Sequence, residues 1–245
     1  MLLRLRLACC VLLGAGLLSA CATAPLPPPQ APPPSGDLPL PAVSPDVFIA
    51  VAQDVEPVAE AVCRQETPDQ NCDFAIFIDR DPASGVNAFH TVDRRDRPII
   101  VITLGLIAML DSGDELAFVL GHEAGHHIAR HIPQQQQSAA MGAQVFGEIA
   151  QARGAGARGV ARAAELGAFV GARSFSQSAE LEADAIGTVI AFQAGYDPVR
   201  GAELFRRLPE PGLRFLATHP PNAARLRIVR ETLAGLGPGI DRIGG

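Results

Sequence analysis

Residues 122–126 read HEAGH, so His122 and His126 are four positions apart and Glu123 directly follows the first histidine. On an α-helix, side chains four positions apart lie one above the other, with about 6 Å between their Cβ atoms. Two imidazoles at that distance can share one zinc ion. Glu123 is rotated by about 100° from His122, which puts it in reach of a metal-bound water rather than of the metal. The pattern predicts a zinc site with Glu123 beside the metal-bound water.

Two imidazoles leave a zinc site incomplete, because zinc needs a third protein ligand and an open position for water. The metzincin pattern would place a third histidine at position 132, which is Ile132. The segment 178–184 instead offers Glu180 and Asp184, again four positions apart. We predict that Glu180 binds the zinc ion and that Asp184 accepts the free N–H of a ligand histidine. The alternative is that this acidic pair forms a solvated helix surface.

The helix that carries the two imidazoles has well-marked ends. Ser112 and Glu115 have the spacing of a capping box, and an apolar run follows them. The helix is predicted to end by Ile132, because the next residue is a proline. Near this end, His127 and His131 are also four positions apart, but no Glu follows the first of them. We interpret His131 as structural and His127 as either solvent-facing or a support for a zinc ligand.

The rest of the chain divides into strand patterns followed by helix patterns, which indicates an α+β fold that is mainly α, with a small β-sheet beside the active-site helix. Strands are predicted at Asp73–Ile78, Val86–Val92 and Ile99–Thr103. Helices are predicted at Val47–Arg64, Leu104–Leu110, Ser112–Ile132, Ser178–Ala194, Pro198–Leu208 and Pro221–Leu236. The Ala/Gly-rich segment Ser138–Ala172 is interpreted as two packed helices joined by a glycine turn. A mobile lid or a membrane-facing hairpin is the alternative for that segment.

Composition excludes one broad class of function. The 245-residue chain is 48% hydrophobic and 19% charged, as expected for a folded protein with a sizeable core. Its 20 cationic residues, all of them Arg, are outnumbered by 26 acidic residues, for a net charge of −6. With only 5% aromatic residues, the chain lacks both the basic surface and the stacking side chains of nucleic-acid-binding proteins. We therefore expect no nucleic-acid partner.

Residues 1–20 have the layout of an export signal. Two arginines precede an apolar stretch of about a dozen residues, which is too short to span a bilayer. The residues just before Cys21 resemble a lipobox, which predicts cleavage before Cys21 and lipidation of its sulfur. The alternative is an ordinary secretory signal cut shortly after Cys21. Either signal exports the chain.

The exported chain is predicted to have three parts. Residues 21–45 form a lipidated Cys21 and a Pro-rich, extended tether that holds the protein away from the membrane. Residues 46–245 form the catalytic domain. Within it, Cys63 and Cys72 are predicted to form a disulfide in an oxidising compartment, with two buried free thiols as the alternative. Because the chain is acidic, its contact with the membrane is expected to come from the N-terminal lipid anchor.

Several further segments accompany HEAGH in a recognisable order. They are Val86-Asn87-Ala88-Phe89, Thr103-Leu104-Gly105-Leu106, Phe175-Ser176-Gln177-Ser178-Ala179-Glu180, Ala183-Asp184, Ala194-Gly195-Tyr196-Asp197-Pro198, and Thr218-His219-Pro220-Pro221 with Arg225. Over residues 46–235 the chain resembles the HtpX and CAAX-prenyl-protease family of gluzincin zinc metallopeptidases. The resemblance implies an endopeptidase with polypeptide substrates, in which His122, His126 and Glu180 hold one zinc ion and Glu123 is the general base.

The same resemblance implies how a substrate would be bound. The strand Asn87-Ala88-Phe89 would lie beside the cleft, where an extended substrate adds through backbone hydrogen bonds. His219 is the candidate donor to the oxyanion, with Tyr196 as a weaker candidate. Two alternatives remain for His219: it occupies the open zinc position and keeps the enzyme latent, or it only begins a helix.

The chain departs from this family in having His90 where a small residue is common, and in lacking further hydrophobic segments long enough to span a membrane. It is most similar to a short, periplasmic lipoprotein branch, anchored to the outer membrane. The expected function is proteolytic quality control of exported proteins in the bacterial cell envelope. The alternative is a zinc-stabilised chaperone or assembly factor with little turnover, working with the envelope assembly machinery.

Overall fold

The structure is a computed structural model that describes residues 42–208 and 220–237. Four predictions concern residues that lie wholly or largely outside these ranges: the signal segment, Cys21 and its lipid, the Pro-rich tether, and the role of His219. They stay predictions.

The described residues form eight helices and three strands, in an α+β arrangement that is mainly helical. In chain order the elements are α1 (Pro45–Glu66), β1 (Ala75–Asp79), β2 (Ala88–Val92), β3 (Pro98–Thr103), α2 (Leu104–Ile107), α3 (Gly113–Ile128), α4 (His131–Ala152), α5 (Ala157–Gln193), α6 (Pro198–Gly201), α7 (Leu204–Arg207) and α8 (Asn222–Gly235). A short 3-10 turn, Pro82–Ser84, joins β1 to β2.

The three predicted strands form one sheet in the order β1-β3-β2. β3 pairs parallel to β1 and antiparallel to β2, with His90 opposite Ile100. Ile100 and Ile102 are buried on one face of the central strand, where they join a core made mainly by α1 and α3. In this order β2 is an edge strand, and it packs against α3.

α3 is the central helix of the domain. From Leu116 to Ile128 every residue is buried except His126, so the helix is enclosed on all sides. Ser112 caps it as predicted, because its hydroxyl accepts the N–H of Glu115 at 3.2 Å. α3 ends at Ile128, within the limit predicted for it, but the predicted cause was wrong: Pro133 lies in the first turn of α4, where its missing N–H is not needed.

α4 and α5 form a long antiparallel pair with a glycine-containing turn between them, as interpreted for residues 138–172. The predicted start of a separate helix at Ser178 was wrong, because α5 runs unbroken through that point. Residues 172–178 contain neither Gly nor Pro, and the hydroxyls of Ser174 and Ser178 donate to carbonyls three residues earlier within the helix. None of the described helices is long and apolar enough to cross a membrane.

A disulfide links Cys63, near the end of α1, to Cys72, just before β1, with 5.7 Å between the Cα atoms. Both cysteines are buried in the main hydrophobic core. The bond ties α1 to the first strand of the sheet.

Candidate metal centre

Three side chains from two helices converge at the centre of the domain. Nε2 of His122 lies 3.0 Å from Nε2 of His126. The carboxylate of Glu180 approaches both rings, with oxygens 3.6 Å from Nε2 of His122 and 3.5 Å from Nε2 of His126. His122 and His126 come from consecutive turns of α3, and Glu180 comes from α5. The structure brings together the three residues that the sequence predicted as a ligand set.

The spacing of these atoms fits a tetrahedral zinc ion. Ligand atoms about 2.0 to 2.1 Å from such an ion are about 3.3 Å from one another, and the observed separations are 3.0, 3.5 and 3.6 Å. The chemistry of these groups fits a metal ion as well. A carboxylate oxygen carries lone pairs, and each imidazole uses Nδ1 for a hydrogen bond, which leaves Nε2 to bind the metal. Nitrogen and oxygen lone pairs therefore meet at one point, where a cation satisfies all of them.

Close backbone contact between α3 and α5 fixes the relative position of the ligands. A Cβ atom added to Gly187 of α5 would lie 2.7 Å from the backbone N of His122. One added to Gly125 of α3 would lie 2.9 Å from the carbonyl oxygen of Ala183. The two helices approach this closely only with glycine at these crossing points. Their contact sets the register that brings Glu180 opposite the imidazoles.

Asp184 occupies the position predicted for it, one helical turn after Glu180. Its Oδ1 lies 2.9 Å from Nδ1 of His122, which donates to it and directs Nε2 toward the ligand cluster. Arg225 of α8 binds the same carboxylate through two N–H groups at 2.6 and 2.7 Å. Burial raises the pKa of Asp184, but the hydrogen bonds from Arg225 and His122 outweigh it and lower the pKa overall.

Arg225 contacts several residues of this site, which the sequence pattern around it did not predict. It is buried, its guanidinium lies 3.8 Å from the ring centre of Phe205, and one of its nitrogens lies 3.5 Å from Glu180. Apart from the resemblance of its segment to a family motif, no sequence pattern distinguishes it from Arg227 and Arg230 of the same helix. Only the fold shows which of these arginines faces the metal centre.

His127 and His131, at the end of α3 and the start of α4, make contacts that the sequence did not predict. His127 is neither solvent-facing nor a support for a ligand: it is buried, and its Nε2 lies 2.9 Å from the carbonyl oxygen of Asn71. Its ring packs edge-on against Phe74. His131, interpreted as structural, contacts a candidate ligand directly, with 2.7 Å between its Nδ1 and that of His126.

Glu123 lines a cavity of about 490 Å³ that it shares with the three candidate ligands. Burial raises the pKa of its carboxyl group, as suits a group that must take up a proton near neutral pH. The nearest imidazole outside the ligand cluster is that of His90, whose Nδ1 lies 4.0 Å from Oε2 of Glu123 and whose ring stacks on His126. Burial lowers the pKa of His90 to about 4, so its ring is neutral at physiological pH.

The predicted substrate strand borders the same cavity. Asn87, Ala88 and Phe89 line it, and β2, which begins at Ala88, is an edge strand. Tyr196 does not have the role of oxyanion donor considered for it. Its hydroxyl instead donates to Asp54 of α1 at 2.7 Å.

Comparison with known proteins agrees with this geometry. The sequence model of peptidase family M48 matches residues 50–233. The chain belongs to peptidase family M48. Among its curated relatives, the beta-barrel assembly-enhancing protease of Yersinia pestis is 32% identical in an alignment of 149 residues that covers 54% of this chain and 30% of the relative.

Two mitochondrial proteins are similar to this M48 chain as well. The mitochondrial metalloendopeptidase OMA1 of Schizosaccharomyces pombe is 30% identical in an alignment of 171 residues that covers 65% of this chain and 47% of the relative. The protein of the same name in Arabidopsis thaliana is 29% identical in an alignment of 143 residues that covers 54% of this chain and 27% of the relative. The chain thus spans less than half the length of each of these three relatives.

Proposed function

We propose that this M48 chain is a zinc-dependent endopeptidase of the bacterial cell envelope that hydrolyses unfolded or misassembled exported proteins. The observation that carries the proposal is the convergence of His122, His126 and Glu180 at the distances expected for zinc, with Glu123 in the same cavity. Family membership supports a peptidase. The names of the Yersinia pestis and Escherichia coli relatives, beta-barrel assembly-enhancing proteases, support an envelope location and a link to assembly there.

His122, His126 and Glu180 would hold the zinc ion, which would supply Lewis-acid activation of the scissile carbonyl and would lower the pKa of a bound water molecule. Glu123 takes the proton of the attacking water and then passes it to the nitrogen of the leaving amine. Burial prepares Glu123 for both steps, because its raised pKa brings the two protonation states closer in free energy. Asp184 holds His122 in the tautomer whose Nε2 is free to bind metal.

The edge strand β2 supplies the site for the polypeptide. An extended substrate would pair with the backbone of Asn87, Ala88 and Phe89, and such bonds do not depend on the substrate side chains. This mode favours unfolded segments over a particular sequence, because a folded protein seldom presents an unpaired strand. His219 remains the candidate donor to the oxyanion, and Cys21 the candidate lipid anchor to the outer membrane.

The decisive experiment compares wild type with Glu123→Gln and Glu180→Ala, measuring bound zinc and the cleavage of an unfolded protein such as casein. Glu123→Gln should keep one zinc ion per chain and lose cleavage by roughly 10²- to 10⁴-fold. Glu180→Ala should lose zinc as well. Glu165→Gln, an exposed change on the same helix as Glu180, is the matched control and should retain both properties.

Two results would contradict the proposal. Full zinc content in Glu180→Ala would exclude Glu180 as a ligand. Unchanged activity in Glu123→Gln would exclude hydrolysis and favour the alternative, a zinc-stabilised chaperone or assembly factor, because binding clients does not require a general base.

A further inference from the structure

The two candidate imidazole ligands have different partners at their Nδ1 atoms. His122 donates to the carboxylate of Asp184. His126 instead meets another imidazole, with 2.7 Å between its Nδ1 and the Nδ1 of His131. Nε2 of His131 then lies 3.4 Å from a carboxylate oxygen of Glu182. The side chain of His131 is only 5% exposed, so this contact is shielded from solvent.

The short contact between two Nδ1 atoms restricts where the protons can be. One of the two atoms must donate and the other must accept. A neutral His126 that presents the lone pair of Nε2 to a metal carries its single proton on Nδ1, so His131 is the acceptor. The proton of His131 is then on Nε2, pointing toward Glu182. Each ring is thereby held in one tautomer.

This contact exists only because the helix is interrupted. In a continuous helix, residues five positions apart point about 140° away from each other. α3 instead ends at Ile128, and Arg130 adopts the left-handed conformation, with φ 57° and ψ 38°. That conformation is unfavourable for a residue other than glycine. α4 restarts at His131, and the change of direction brings its ring against His126.

We propose that His131 is a positioning residue of the metal centre, which accepts the Nδ1 proton of His126 and so holds Nε2 of that ring toward the zinc ion. The inference rests on the proposed zinc site and assigns to this site a partner that its ligand motif does not contain. Phe175 of α5 packs edge-on against His131 and fixes the plane of its ring. Glu182 is more than half exposed at its side chain, so it orients His131 more weakly.

The test uses the full chain and measures the dissociation constant of zinc by competition with a chromophoric chelator. His131→Leu and His131→Phe keep the bulk of the side chain but remove the acceptor. His131→Asn keeps an acceptor, because the Asn Oδ1 stands near the position of the His Nδ1. His127→Leu is the matched control, since His127 is also buried at the end of α3 but bonds to a backbone carbonyl away from the ligands.

We expect His131→Leu and His131→Phe to raise the zinc dissociation constant roughly 10- to 100-fold, the usual effect of losing a partner of a ligand histidine. His131→Asn should remain close to wild type, and His127→Leu should lower the melting temperature of the metal-free protein without weakening zinc binding. Wild-type affinity in both apolar variants would overturn the role of His131, and so would equal weakening in His131→Asn or His127→Leu. A wild-type chain that binds no zinc would overturn the proposed function itself.

Discussion

The closest approach between α3 and α5 offers a sharp test of how the ligands are positioned. In Gly187→Ala the new Cβ would lie 2.7 Å from the backbone N of His122 and 3.0 Å from its Cα. Backbone atoms cannot move aside as a flexible side chain can, so the helices must separate by about 0.7 Å to restore an ordinary contact near 3.4 Å. Zinc sites tolerate changes of about 0.2 Å in ligand distances. The movement therefore exceeds what the metal centre can absorb.

We expect Gly187→Ala to lower the free energy of unfolding by about 1 to 3 kcal/mol, as overpacking does, and to raise the zinc dissociation constant roughly 10- to 100-fold. Gly142→Ala is the matched control, because its Cβ would clash with the carbonyl oxygen of Gly167 in the α4–α5 pair. That clash is about 16 Å along α4 from His131. Chemical denaturation and chelator competition measure both quantities. Unchanged zinc affinity in Gly187→Ala, or an equal loss in Gly142→Ala, would refute the reasoning.

Three further predictions concern the surroundings of the site. Asp184→Asn should lower the free energy of unfolding, measured by chemical denaturation, by about 3 to 5 kcal/mol, because Arg225 is buried and would lose its ionised partner. A decrease below about 1 kcal/mol would contradict this expectation. Burial holds the pKa of His90 near 4, whereas in the unfolded chain it is about 6.5, so the unfolded state binds more protons between these values. The free energy of unfolding of the metal-free protein should therefore fall by up to about 3 kcal/mol as the pH falls from 6.5 to 4. His90→Phe should remove this part of the pH dependence of the unfolding free energy. Replacing Cys63 and Cys72 together by Ala should lower the unfolding free energy by about 2 to 3 kcal/mol and leave zinc binding intact; loss of zinc would show that the disulfide also shapes the site.

The parts of the site that the sequence predicted are those that depend on local periodicity. HEAGH identified two facing imidazoles because they are one turn apart on a helix with a marked N-cap. Glu180 and Asp184 were recognisable by the same spacing, once a third ligand was required. The strands were predicted correctly because alternating β-branched and aromatic residues are bounded by turn residues.

The parts that the sequence did not predict depend on departures from regular geometry or on long separations. Arg130 is not a residue type that favours the left-handed conformation, so nothing indicated that His131 would turn back toward His126. The unbroken course of α5 was missed because a serine-rich segment resembles a linker, although its hydroxyls bond within the helix. The contact between Arg225 and Asp184 joins residues 41 positions apart, which periodicity cannot detect.

The charges of the site explain why α8 belongs to it. Glu123, Glu180 and Asp184 bring three carboxyl groups into one buried region, where like charges repel strongly because little water screens them. A divalent cation bound by the candidate ligands would compensate two negative charges, and Arg225 compensates the third. The helices that carry the ligands, α3 and α5, therefore form an incomplete site by themselves. The family match, which extends to residue 233 and so includes most of α8, is consistent with this requirement.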